Sequence, residues 1–394
     1  MTKHHAAHLH RSYKRTTSDA RSPRAVVLPD TLPPAKDTKQ HPTDLGNENA
    51  SLFFVGTATV IIEWAGIRIM TDPNFLHAGD HAQFGAGVSS ERRTNPAVEL
   101  HDLPRIDLVL LSHYHGDHFD QKVEASLRRD IPIITNPHAR VQLTNKGSES
   151  FTNVSALAPF ETGLVEIGGT GGVKRPLLRI TGMPGRHVPS NAVVGLLNKM
   201  ANAVSGTSFY HSNPTPLKRH QFPTLVLSFL DPPTTGWILE LGTSADTHDP
   251  TDFAPGYRIY ITGDTLFTED LHAIREKYTA TDNPIDLMLV HLGGTMIPSP
   301  AFSPLSFMVS MDAAQGVRLM KMVEPGVTIP IHYDDYEVFA SGVAEFEGEV
   351  GREKVDGGGV VILERREAFE FRVRGEVGRM REEEAYFGGG RSSP

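Results

Sequence analysis

The chain has 394 residues, 39% of them hydrophobic and 22% charged, with a formal net charge of −9 and no cysteine. This is an ordinary globular balance, long enough for one large α/β domain or two small ones. It excludes disulfide and thiolate chemistry, leaves any transition-metal site to histidine and carboxylate ligands, and gives none of the basic footprint expected of a nucleic-acid binder.

Residues 1–48 read as a disordered, basic, His-rich arm. They hold His4, His5, His8 and His10, then Arg11, Lys14, Arg15, Arg21 and Arg24, with little to bury. The Arg-rich, acid-poor composition also fits a mitochondrial presequence; otherwise a cytoplasmic protein is expected. No apolar run approaches the roughly 20 residues of a membrane span. From residue 49 a folded domain is predicted to run to about 370. Segments 51–55 and 58–64 are β-rich, and Gly66 turns the chain into 67–71 as in a hairpin. The apolar run 108–111 reads as a buried strand, followed by strand candidates at 131–135, 177–181, 225–229, 237–241, 258–262, 285–290, 327–331 and 360–364. Helices are predicted at 120–129, 269–277, 312–323 and 343–351; in the third, Ala313, Val317 and Met320 share one face. Residues 188–222 interrupt the strand pattern. Their apolar stretch 192–204 could be a lid or a plain core or surface helix. Residues 371–394, ending in Gly388-Gly389-Gly390, look mobile.

The chemistry concentrates in Ser112-His113-Tyr114-His115-Gly116-Asp117-His118. An apolar strand delivers three histidines and one aspartate onto the loop beyond its end, where α/β proteins place their sites. His113 and His115 can point the same way from an extended backbone, and Gly116 lets the chain turn so that Asp117 and His118 face a second position. Such ligands suit zinc, and also manganese or iron. Downstream, Asp264 and His332 each follow a strand-like segment. His187 competes with His211 and His220 nearby in sequence. Asp72 ends a strand before Pro73 and is either a turn residue or a partner that orients a ligand histidine. His291 follows a strand and is either a group that contacts substrate or donates a proton, or a satisfied buried histidine. Tyr114 and Tyr333 flank ligand candidates and are expected to pack.

The pattern His113-x-His115-x-Asp117-His118 resembles the signature of the metallo-β-lactamase superfamily, and the resemblance extends over about residues 51–365. Gly56-Thr57-Ala58-Thr59, Thr71-Asp72-Pro73-Asn74-Phe75, Gly182-Met183-Pro184-Gly185-Arg186-His187, Ile261-Thr262-Gly263-Asp264-Thr265 and Ile329-Pro330-Ile331-His332-Tyr333 resemble motifs of its branch containing ascorbate-6-phosphate lactonase and N-acylphosphatidylethanolamine phospholipase D. The resemblance implies a four-layer αββα sandwich with two zinc ions. His113, His115 and His187 would hold one, Asp117, His118 and His332 the other, and Asp264 would bridge both. That branch usually has a small residue or proline near position 291, so His291 departs from it. The implied activity is hydrolysis by a metal-bound hydroxide, the metals lowering the pKa of a shared water. A small, partly apolar lactone or lactam is the expected substrate. A phosphodiester, with Arg186 as the visible phosphate-binding candidate, is the alternative. A non-catalytic, metal-stabilised binding protein is the reading from another class.

Overall fold

The computed structural model describes residues 5–9, 28–84, 88–167, 175–187, 233–244, 252–281, 283–297, 306–354 and 359–375. Two eight-stranded mixed sheets carry the fold. One has the order Val154–Ala156, Ile133–Thr135, Leu108–Leu110, Ile67–Thr71, Thr59–Trp64, Ala50–Gly56, Glu367–Phe371, Asp37–Gln40. The other runs His5–Leu9, Thr162–Ile167, Arg175–Pro184, Thr235–Ser244, Phe253–Ile261, Leu287–His291, Val327–Ile331, Gly359–Val360.

The side-chain alternation of the strands builds the layers. Leu52, Phe54, Val60 and Ile62 of the first sheet and Leu178, Ile180, Leu239 and Ile259 of the second meet in one buried core. Their neighbours in sequence, Phe53, Val55 and Ile61, face the other way. There they pack against Val123 of helix Gln121–Ser126 and Ala139 and Leu143 of helix Pro137–Thr144. On the far side, Ile238, Tyr260, Met288 and Val290 pack under Ile274 of helix His272–Lys277, Val317 and Met320 of helix Ala313–Val323, and Phe346 of helix Val343–Glu353. The expected four-layer αββα sandwich is the observed one. Burial on both faces explains why 108–111 reads as a continuous apolar run.

Strand direction positions the site. Ile67–Thr71, Leu108–Leu110 and Ile133–Thr135 are parallel to one another, as are Phe253–Ile261, Leu287–His291 and Val327–Ile331. Their carboxyl ends therefore deliver Asp72, the His113–His118 loop, Asp264, His291 and His332 to one edge of the sandwich.

Several elements differ from the sequence expectation. Within 1–48, Asp37–Gln40 pairs parallel with Glu367–Phe371, with Lys39 3.0 Å from Glu367, and His5–Leu9 pairs parallel with Thr162–Ile167. Edge strands are held by backbone hydrogen bonds and charged contacts, which leave no apolar period to read. Helix Pro137–Thr144 was not expected, although its Asn136 side chain caps Ala139 and Pro137 opens the helix. The segment expected to be mobile from 371 begins inside the fold: Phe371 closes a strand, and the Val373 amide donates to Asn49 Oδ1 at 2.8 Å. Residues 188–222, His211, His220 and the strand candidate 225–229 lie outside the described residues, as does 376–394. Among the described residues no helix is long and apolar enough to cross a membrane.

Candidate metal centre

The first pocket gathers His113, His115 and His187, with one ring nitrogen from each within 4.8 Å of the others. His113 Nε2 and His115 Nδ1 are 3.0 Å apart, and the His187 ring lies 5.1 and 5.2 Å from the other two. His187 reaches the pocket from beyond the end of strand Arg175–Pro184. Gly116 begins the turn after His115, but its φ is not left-handed. A glycine is required there because a Cβ would lie 2.7 Å from the Gln83 amide nitrogen.

The second pocket gathers Asp117, His118, Asp264 and His332, again within 4.8 Å. His118 Nε2 is 3.5 Å from Asp117 Oδ2 and 3.4 Å from Asp264 Oδ2, and His332 Nε2 is 3.4 Å from Asp117 Oδ2. Gly263, at φ 62°, turns the chain so that Asp264 enters this pocket. The pockets adjoin, the His113 and His118 rings being 4.2 Å apart. Asp264 groups with the second pocket, and its charge is felt by His187 and His115 of the first.

The donor atoms are unspent. Asp117 Oδ1, Asp264 Oδ1, His118 Nε2, His332 Nε2 and His187 Nδ1 are buried without a hydrogen-bond partner. Each such atom costs about 1–3 kcal/mol when buried alone. Five converging on one place fit divalent cations, and the histidine and carboxylate set matches zinc, manganese or iron.

Hydrogen bonds aim the ligands. Asp72 Oδ1 accepts the Ser112 amide at 2.7 Å, and Oδ2 accepts Ser112 Oγ at 2.8 Å and faces His118 Nδ1 at 3.0 Å. His118 Nε2 is thereby turned into the pocket. Asp72 sits at φ 33° and His332 at φ 62°, backbone conformations that non-glycine residues rarely adopt. His332 Nδ1 lies 3.1 Å from the Leu292 carbonyl, which leaves its Nε2 for the pocket.

The two pockets differ electrically. Burial and the neighbouring imidazoles hold His113 well below the ordinary histidine range, push His115 down to about 3 and lower His187. These rings are neutral, the form that binds metal. In the second pocket burial also opposes charge on His118, but Asp264, Asp117 and Asp72 override it and raise it well above the ordinary range. Burial likewise opposes the carboxylates of Asp117 and Asp264, yet His118 and His332 keep both below the usual carboxylate range.

His291 is fully buried beside the second pocket. Its ring stacks 6.0 Å from His118, its Nδ1 is 3.3 Å from Thr262 Oγ1, and its Nε2, without a hydrogen-bond partner, is 3.8 Å from Asp72 Oδ2. Tyr114 and Tyr333 point away, donating to Glu124 Oε2 at 2.6 Å and to the Leu363 carbonyl at 3.3 Å. Arg186 follows the loop to His187, but its guanidinium pairs with Asp270 at 3.0 Å. Leu76, Phe84, Tyr336 and Val338 form a separate apolar cluster, with Ile297 and Phe339 against it; the Phe339 ring is 4.6 Å from His332.

Sequence reasoning missed a group behind the metal-binding loop. Asn74 Nδ2 donates to the Gly116 carbonyl at 3.0 Å and to Tyr336 Oη at 2.8 Å, and Asn74 Oδ1 accepts from the buried Arg92. Asp335 stands on the other side of Arg92. Asn74 lies in a motif singled out for its aspartate; an isolated Arg92 carries no local signal.

Residues 68–215 match the family model described as "Beta-lactamase superfamily domain". The chain is 23% identical over 295 residues to a metal-dependent hydrolase of Carboxydothermus hydrogenoformans, covering 75% of this chain and 89% of that protein. Over 96 residues it is 34% identical to N-acyl-phosphatidylethanolamine-hydrolyzing phospholipase D 1 of Caenorhabditis elegans, 24% of this chain and 25% of that one. Its fold is similar to that of isothiocyanate hydrolase from Delia radicum gut bacteria, with a TM-score of 0.56 and 17% identity over 82% of this chain and 99% of the other.

Proposed function

The chain belongs to the metallo-β-lactamase superfamily and is a metal-dependent hydrolase of it, and from that premise we propose that it opens a small, partly apolar lactone or lactam with two metal ions, zinc foremost. The observation that carries this reading is the pair of adjoining buried ligand clusters, with four unspent ligand atoms in the second pocket and His187 Nδ1 in the first. Two divalent ions in such pockets supply Lewis acidity and lower the pKa of a water they share. The chain's own residues do the rest. His113, His115 and His187 would hold the first ion through ring nitrogens, and Asp117, through a carboxylate oxygen, with His118 and His332, through ring nitrogens, would hold the second; Asp264 lies where its charge bears on both. Asp72 and the Leu292 carbonyl fix which ring nitrogens face the ions. His291 Nε2, unpartnered and close to Asp72, is the group we assign to hold a proton beside the second pocket.

Two features favour a cyclic ester or amide over a phosphodiester. One flank of His332 is apolar, with the Phe339 ring 4.6 Å away and packed on the cluster of Leu76, Phe84, Tyr336 and Val338. Arg186, the expected phosphate ligand, is engaged with Asp270. The test pairs metal analysis of the purified protein with a panel of lactones, lactams and phosphodiesters, using Asp264→Asn and His115→Ala as controls. Turnover of lactones or lactams, lost in both variants, is expected. A phosphodiester preference would move the assignment to the alternative substrate class. No turnover by the metal-loaded protein, with unchanged metal content in both variants, would overturn the hydrolase reading.

A further inference from the structure

The buried group behind the metal-binding loop touches the two pockets unequally. Arg92 is fully buried. Its Nη1 donates to Asn74 Oδ1, its Nε donates to the Thr94 carbonyl at 3.1 Å, and its Nη2 faces Asp335 Oδ1 at 3.9 Å. Because Arg92 occupies Oδ1, the Asn74 amide can stand only one way round, with both Nδ2 hydrogens turned to the Gly116 carbonyl and Tyr336 Oη. The Gly116 carbonyl belongs to the peptide that leads directly into Asp117. On the opposite flank, Asp335 Oδ2 accepts the Thr57 amide at 2.9 Å, and the Thr57 carbonyl accepts the amide of His332 at 2.8 Å. Both Thr57 and His332 have positive φ, so this strained contact needs a scaffold to persist.

Asp117 and His332 are ligand candidates of the second pocket. The first pocket is supported elsewhere: Ser112 Oγ lies 3.0 Å from His113 Nδ1, and the three rings pack on one another. A buried arginine is costly unless its charge and donors are used; here Nε and Nη1 tie residue 94 to Asn74, while Nη2 makes no hydrogen bond and sets its charge 3.9 Å from Asp335, whose Oδ1 accepts from Thr94 and Arg365. We propose that Arg92, acting by a hydrogen bond to Asn74 and by its charge on Asp335, is a positioning residue that sets the geometry of the second metal pocket and leaves the first unaffected. This rests on the two-metal reading above.

The test measures zinc stoichiometry by elemental analysis at fixed free Zn2+, and stepwise zinc affinities by competition with a chelating dye. The wild type is compared with Arg92→Met, Arg92→Lys and Asn74→Ala. The expected result is two zinc ions in the wild type. In Arg92→Met and Asn74→Ala the ion of the second pocket should lose roughly 10- to 100-fold in affinity, the scale seen when partners of metal ligands are removed, while that of the first is unchanged. Lysine keeps the charge but not the fork, so Arg92→Lys should fall between. Cobalt loading gives an independent readout, with the visible spectrum of the second ion altered and that of the first kept. Equal loss from both pockets, or no loss from either in folded variants, would overturn the proposal. If Arg92→Met does not fold, Asn74→Ala decides alone. A wild type that binds fewer than two ions would overturn the two-metal reading together with this one, and that outcome is visible before any variant is made.

Discussion

The two pockets share an edge of the sandwich but solve different problems. The first is three neutral imidazoles, lowered in pKa by burial and by one another. The second sets two carboxylates among histidines, and every group there departs from its ordinary value because of its neighbours. An ion in the first pocket would meet three neutral rings with Asp264 at their edge, while one in the second would be largely neutralised by Asp117 and Asp264. The supports differ accordingly. Neutral rings need shape, and ring packing supplies it. Side-by-side carboxylates and strained backbone need fixed hydrogen bonds, which Asp72, Leu292 and Asn74 supply. The contrast teaches that the chain spends its buried polar framework on the pocket that could not otherwise hold its charges.

The sharpest way to break this contrast is to remove its centre of charge. Asp264→Asn keeps the shape and deletes the charge that bears on both pockets. Hydrolysis should fall by more than about 100-fold, as when a group that stabilises developing charge is lost. Elemental analysis should show the second ion lost and the first retained; loss of both would mean that Asp264 serves the pockets equally. Single-ligand variants should empty the pockets one at a time. His115→Ala should release the first ion and His118→Ala the second, each leaving about one ion per chain. Chelation should then report on the fold. If metals bind only the native state, thermal unfolding at 100 times the dissociation constant should show about 2.7 kcal/mol of extra stability per site. A shift absent from both single-ligand variants would argue that neither pocket holds an ion alone.

Most of this architecture was legible in the chain. Strand Ile67–Thr71 stands where the hairpin pattern around Gly66 puts it and Val327–Ile331 fills its strand candidate, and the loop from His113 to His118 announced itself by ligand density. Less legible were features whose signal is not local. Asp37–Gln40 and His5–Leu9 are edge strands defined by their partners, 330 residues away in the first case. Thr162–Ile167 alternates between half-buried and buried, a period-two pattern missed among its polar residues. Gly116 was expected as a turn glycine and is in fact required by the approach of Gln83, which no spacing reveals. Arg92 reads as a surface charge in sequence; only the meeting of two distant loops buries it.

A milder perturbation tests the support of the second pocket. Asp72→Asn should weaken the second ion roughly 10- to 100-fold by releasing His118, with the first unchanged. The same variant makes a pH prediction for the metal-free protein. Burial works against the Asp72 carboxylate, but the charge and hydrogen bond of His118 outweigh it and lower Asp72 to about 2. A carboxylate lowered on folding stabilises above its unfolded value, near pH 3.9, and that contribution disappears as the pH falls towards 2. Urea unfolding of the metal-free wild type should therefore lose stability across that window. The asparagine variant should lack this part of the slope. Identical slopes would mean that Asp72 is a turn residue and not the partner of His118.

The smallest effect is expected where sequence and structure disagree about a cation. Arg186 precedes His187 and was the visible candidate for holding a phosphate, yet its guanidinium is half exposed and paired with Asp270 at 3.0 Å. Exposed pairs contribute about 0–1 kcal/mol, so Arg186→Ala should change the unfolding free energy by no more than that. Its backbone is a different matter: the Arg186 amide donates to Thr265 Oγ1 at 2.9 Å and its carbonyl accepts the Leu266 amide at 2.8 Å, tying the His187 loop to the turn after Asp264. Alanine preserves both bonds, so the first pocket should keep its zinc and a lactone substrate should keep its kcat/KM. The phosphodiester arm of the same assay gives the comparison its edge. If Arg186 left Asp270 to meet a phosphate, alanine would raise KM for phosphodiesters alone, and the two pockets would then serve a substrate whose charge is read by the first pocket's flank and not by the metals.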